Sequence, residues 1–125
     1  MKFYNKLVRD RIPEIMESNG ETPVTRVLES EEYRSCLESK LDEEVCEFHE
    51  GKDPEELADI LEVVYALAEA YGCSREALSA IYQTKHNARG GFSGRIYLIG
   101  KSENNQKPKF PLDKIPLHCY NTKAV

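Results

Sequence analysis

No run of apolar residues in the sequence approaches the roughly 20 needed to cross a bilayer, so no membrane span is expected. The first ten residues carry charges at Lys2, Lys6, Arg9 and Asp10 and hold no continuous apolar stretch, which argues against a signal peptide. Cysteine is sparse and unpatterned. Cys36, Cys46, Cys73 and Cys119 form no C-x-x-C pair and no spacing typical of zinc ligands. Cys36 and Cys46 fall ten residues apart on one expected helix, out of bonding reach. Free thiols and a cytoplasmic location are therefore expected. A basic excess is also lacking: 17 Lys and Arg against 22 Asp and Glu give a net charge of −5, so duplex nucleic acid is not an expected partner. There is no G-x-x-x-x-G-K-[ST] loop, no G-x-S-x-G elbow and no Cys–His pairing, which excludes the commonest phosphate-loop and nucleophile chemistries.

What remains is 125 residues, the length of one ordinary domain, with 40% hydrophobic and 31% charged residues. The charge is segregated. From Glu29 to Glu62 there are fourteen acidic residues and three basic ones, a local net charge of −11, which leaves +6 for the rest. An acidic middle with basic flanks suits a site for divalent cations and a polyphosphate; a pair of solvated acidic helix faces produces the same pattern.

Helical signals dominate. A short helix is expected over 12–19, with Asp10 as cap, Pro13 in the first turn and Gly20 as the stop. Ser30 is the expected cap of a helix over 31–50 with the apolar stripe Tyr33, Leu37, Leu41, Val45 and Phe48. Asp53 and Pro54 open a third helix with the stripe Leu57, Leu61, Val64, Ala68 and Tyr71, widened by Ile60 and Leu67 and ended by Gly72. Ser74 caps a fourth, to Arg89, with Leu78, Ile81 and Tyr82 inward. Val24–Leu28 and Arg95–Ile99 read as two short strands that must pair. The expected fold is an all-α bundle of about four helices with a small two-stranded β element. A domain over 1–100 is followed by a Pro-containing tail over 101–125. The wide stripe of the third helix offers more apolar surface than one small bundle needs, which points to a homo-oligomer.

Carboxylates carry the chemical signal. Glu44 and Glu47 stand at i, i+3 on the second helix, and Glu56 and Asp59 repeat that spacing on the third. A short connection makes the two helices antiparallel neighbours, so the four acids converge on one groove. Hard oxygen ligands at that density suit Mg²⁺ or Mn²⁺. Structural roles compete: Glu56 could complete a capping box with Asp53, and Glu43 and Glu47 could be solvated surface acids. Asp59 sits between apolar Ala58 and Ile60 and is a poor helix former, which is harder to explain structurally. A surplus carboxylate, Glu43 or Glu47, could orient a water as general base. Lys85 and Arg89 lie at i, i+4 just before Gly90-Gly91, with Arg95 following; with Lys6 and Arg9 they are the candidate polyphosphate ligands.

The segment Tyr4-Asn5-Lys6-Leu7-Val8-Arg9-Asp10-Arg11-Ile12-Pro13 is similar to the opening of small MazG-like, phosphoribosyl-ATP pyrophosphohydrolase-like proteins. The string Lys40–Glu47 resembles that superfamily's E-x-x-E motif, Glu56–Glu62 its E-x-x-D motif, and Arg89-Gly90-Gly91-Phe92 with Arg95–Leu98 its closing segment. The resemblance runs in order over residues 4–99. It implies an all-α nucleoside triphosphate pyrophosphohydrolase that uses Mg²⁺ to release pyrophosphate and a nucleoside monophosphate. It further implies metal ligation by Glu44, Glu47, Glu56 and Asp59, and assembly as a homodimer or homotetramer. A nucleotide-binding or regulatory module on the same fold, without turnover, is the alternative. Two features depart from the pattern: only eight residues separate the acidic motifs, and the chain after Gly100 has no counterpart.

Overall fold

A computed structural model describes residues 1–103, and over these the chain is an all-α helical bundle: α1 Ile12–Ser18, α2 Ser30–Gly51, α3 Pro54–Ala70 and α4 Arg75–Arg89. The expected tail residues beyond 103, including Pro108, Pro111, Pro116, His118 and Cys119, lie outside the described residues. A first compact unit spans Met1–Ala88, and a second begins at Arg89. No helix among the described residues is long and apolar enough to cross a membrane.

The helix ends follow local chemistry. Gly20 (φ +80°) and Gly72 (φ +85°) stop α1 and α3 in matching ways. At each, the glycine amide and the next amide donate back to the last turn: Gly20 to Glu17 and Glu21 to Met16, Gly72 to Glu69 and Cys73 to Ala68. This paired closure needs a left-handed residue, which glycine adopts without a Cβ clash. Between α2 and α3, Lys52 takes the left-handed conformation (φ 54°) while its amide donates to the Phe48 carbonyl at 2.7 Å. Asp53 then accepts from the Glu55 amide at 3.0 Å, and Pro54 fills the first helical position. Two linking residues leave α3 no course but back along α2, and this antiparallel pair is the one helix–helix packing at backbone distance among the described residues. Ser74 Oγ accepts from the Ala77 amide at 3.1 Å and starts α4.

Two expected caps differ. Arg11, not Asp10, flanks α1 with no side-chain bond, and Ser30 is already helical because the Tyr33 amide bonds the Glu29 carbonyl at 2.8 Å.

The two-stranded element is absent among the described residues: neither 24–28 nor 95–99 has a ladder partner. Arg26 instead forks onto Glu32 in the first turn of α2, at 2.9 and 2.7 Å, which ties the extended run to a helix. Arg95 is in the left-handed region (φ 53°) and its amide closes a turn on the Phe92 carbonyl at 3.0 Å, so a strand cannot begin there.

The core is the α2–α3 seam. Leu37 and Val63 are its buried apolar side chains, and Glu44 is buried with them. Leu37 and Glu44 are two turns apart and share a line on α2, whereas Val45 is displaced toward solvent. On α3 the seam runs through Asp59, Val63 and Leu67. The expected stripe lies about 100° away, so Leu57 and Leu61, both 49% exposed, are corrected from core to outer face. Tyr71 closes the far end by donating to Glu38 Oε1 at 2.8 Å, with the Arg34 guanidinium over its ring. Arg75, at the start of α4, stacks over the α3 residue Tyr65 at 4.1 Å.

Because so little is buried, each seam residue matters. Leu37→Ala should cost about 2–4 kcal/mol in urea unfolding, the range for a buried leucine. Asp53→Ala should cost about 1 kcal/mol through loss of the cap.

Candidate metal centre

Three of the predicted acids meet. One carboxylate oxygen each of Glu44, Glu56 and Asp59 lies within 4.8 Å of the others. Glu44 comes from the buried line of α2, while Glu56 and Asp59 come from the first two turns of α3. The tight Lys52–Asp53 link sets those turns against the end of α2. Glu47, one turn beyond Glu44 on α2, is exposed. Of the four acids expected to converge, Glu44, Glu56 and Asp59 come together, and Glu47 is not among the group.

Glu44 is only 6% exposed. Its Oε1 faces Lys40 Nζ at 3.3 Å, and its Oε2 is buried without any hydrogen-bond partner. The i, i+3 geometry predicts a half-buried position at the edge of the stripe; the carboxylate is in fact inside the seam, because the buried line passes through Leu37 and not midway to Val45. Burial, and then the neighbouring Glu47 carboxyl, push the Glu44 pKa above the ordinary carboxylate range, with Lys40 opposing. The Glu56 carboxyl is also pushed up, by burial first and then by the charges of Asp59, Glu44 and Asp53. Its carboxylate stands with these acids, so the capping-box role does not account for it.

The basic residues divide. Arg9 Nη2 reaches Asp59 Oδ1 at 2.6 Å, and Lys6 Nζ reaches Glu43 Oε1 at 3.4 Å. Lys40 also meets Glu43 Oε2 at 3.3 Å. Burial pushes the Glu43 carboxyl up, but the two ammonium groups outweigh it and hold it below its ordinary value. Glu43 is thus an anion tethered by Lys6 and Lys40. Lys85 is exposed on α4. Arg89 and Arg95 belong to the second unit and are exposed there. Lys40 was not singled out from the sequence, although its i, i+3 and i, i+4 relations to Glu43 and Glu44 were the available signal.

The donor set fits a hard divalent cation. A buried carboxylate oxygen with no donor is costly unless a cation or proton serves it, and three carboxylates are within reach of one point. Residues Glu44, Glu56 and Asp59 would hold such an ion, with Glu47 adjoining.

No protein-family model matches the chain, and no solved structure matches it. An uncharacterized protein of Mycolicibacterium smegmatis (strain ATCC 700084 / mc(2)155) is 57% identical over 42 residues. That stretch is 34% of this chain and 43% of the mycobacterial protein, so the chain matches less than half of that relative's length.

The cluster predicts an inverted pH response. The folded protein keeps Glu44 protonated to higher pH than the unfolded chain does. It therefore adds stability at acid pH, and that stability is lost as pH rises through the elevated pKa. In chelator, Glu44→Gln should raise the melting temperature at neutral pH and flatten the pH dependence between neutrality and the ordinary carboxylate range. A lower melting temperature at pH 7 would contradict the assignment of an uncompensated buried charge.

Proposed function

We propose that the chain is a Mg²⁺-dependent nucleotide pyrophosphohydrolase, with Mn²⁺ as a substitute, that acts on a nucleoside triphosphate or phosphoribosyl nucleotide. The observation that carries this reading is the buried Glu44, with its unpartnered Oε2, grouped with the carboxylates of Glu56 and Asp59. The order of the sequence segments that resemble MazG-like proteins supports it. When bound, the metal supplies positive charge to phosphoryl oxygens and acidifies water. The residues of the chain do the rest. Glu44, Glu56 and Asp59 hold the ion, and Glu47 takes the proton of the attacking water as the bond between the α- and β-phosphates breaks. Pyrophosphate and a nucleoside monophosphate leave. Lys6, Arg9 and Lys85 are the cations of the first unit assigned to the polyphosphate.

The same reading makes the protein a cytoplasmic homodimer or homotetramer, with no duplex nucleic acid or membrane as partner. The outer face of α3 supports assembly. Leu57, Leu61, Val64 and Ala68 recur at steps of four, three and four, the spacing of a helix–helix seam, and two of them are half exposed. Above that face an open, largely apolar groove of about 430 Å³ includes Leu41, Leu67 and Leu78.

Incubation with a panel of nucleotides and Mg²⁺ should release pyrophosphate from at least one of them. Glu56→Gln should lower that turnover by about 100-fold or more, the cost of removing one electrostatic contributor to such a site. Tight nucleotide binding with no release from any member would favour the binding module instead.

Light scattering should give a mass above the 14.3 kDa of one chain. Leu61→Glu, which places a charge on the outer face of α3, should shift the mass toward the monomer value. A wild-type mass of one chain across a dilution series would refute the assembly.

A further inference from the structure

We propose that the segment carrying Lys6 and Arg9 is a latch on the acidic cluster, and that a divalent cation opens it by competing with Arg9 for Asp59. This rests on the metal reading above. Arg9 Nη2 stands 2.6 Å from Asp59 Oδ1, at the short limit of a charge-assisted hydrogen bond. Three residues earlier, Lys6 Nζ stands 3.4 Å from Glu43 Oε1. Two cations of one non-helical segment therefore dock on α3 and α2, at partners fifty and thirty-seven residues away in sequence.

Among the described residues, little else holds this segment. Residues 1–6 and 8–10 are exposed, and Leu7 is the one partly buried side chain among them. The Ile12 amide donates to the Arg9 carbonyl at 3.0 Å, which fixes the Arg9 backbone to the start of α1 and makes that turn the pivot. The Arg9–Asp59 contact is thus the shorter of the two ion pairs that keep the chain before the pivot docked.

Asp59 is shared between two uses. It belongs to the cluster with Glu44 and Glu56, and it is also the carboxylate on which Arg9 closes. A doubly charged ion on that carboxylate repels the guanidinium from a few ångströms away. The Arg9 side chain is 55% exposed and that of Asp59 39%, so their pairing is screened and easily given up. Hard carboxylate ligation is the stronger interaction, and the guanidinium has open water to move into.

The test uses the full chain and Mg²⁺ alone as probe. Backbone relaxation by NMR reads the order of residues 2–9, and calorimetry reads Mg²⁺ affinity. In the wild type, Mg²⁺ should loosen residues 2–9. In Arg9→Gln these residues should be loose without metal and unchanged by it. The variant should bind Mg²⁺ about two- to fivefold tighter, the fold-change of an exposed ion pair that no longer has to be broken. Arg11→Gln removes the same charge two residues away, from a pair with Glu14 at 3.3 Å, and should change neither readout. Residues 2–9 that stay ordered on Mg²⁺ binding, with Arg9→Gln binding no tighter than wild type, would overturn the latch and leave the metal centre standing. Equal tightening in Arg9→Gln and Arg11→Gln would also overturn it, because general charge would then be the cause. Absence of Mg²⁺ binding to the wild type would overturn the metal reading and the latch with it.

Discussion

Glu44 is carried into the α2–α3 seam by the same two-turn repeat that buries Leu37, and a carboxylate in that position must be served by charge or hold a proton. Lys40 serves one oxygen from a turn away, and the other oxygen has no donor. An apolar residue would fill the seam without that penalty, since buried ionic groups rarely improve on well-packed apolar ones. The proposed cation site would offset that cost. The connection Lys52-Asp53-Pro54 then acquires a second purpose: besides turning the chain, it brings Glu56 and Asp59 of α3 to the level of Glu44.

The α3 helix serves two surfaces. Its seam face carries Glu56, Asp59 and Val63, while Leu57, Leu61, Val64 and Ala68 form a separate stripe about a third of a turn round. A helix that only completed a small bundle would not carry both. Burial on the seam side is confined to one valine, which is too little to hold a helix of 17 residues firmly in place. Covering the outer stripe would add the missing apolar burial, and it would do so at a distance from the acids, leaving the mouth of the cluster open.

Much of this was legible in the residues. The four helices follow from punctuation that acts locally: Gly20 and Gly72 as left-handed stops, Asp53 and Ser74 as caps, Pro54 at a first position. The meeting of Glu44 with Glu56 and Asp59 follows from i, i+3 spacing and a short link, which are also local. What escaped depends on rotation about a helix axis. Apolar residues cover so much of α3 that periodicity selects a broad arc and not the packed line within it, which takes in Leu57 and Leu61 and leaves out Val63. The β element escaped for a different reason. Val24–Leu28 has the composition of a strand, but Arg26 finds a bidentate partner in Glu32, and a helix terminus takes the place of a ladder.

Asp59 stands in two settings at once. Read from the sequence, it is a candidate metal ligand; in the structure it lies in the cluster with Glu44 and Glu56 and also contacts Arg9. These are compatible because the arginine is a cation that can leave. Lys40, only 17% exposed and anchored on the same helix as Glu44, cannot withdraw in that way. The two cations thus divide the work: Lys40 permanently offsets part of the buried charge, and Arg9 offsets the outer part only while nothing stronger does. A site built with two fixed cations would bind a divalent ion poorly, and one with neither would strain the seam with three unrelieved acids. One fixed and one removable cation satisfies both demands.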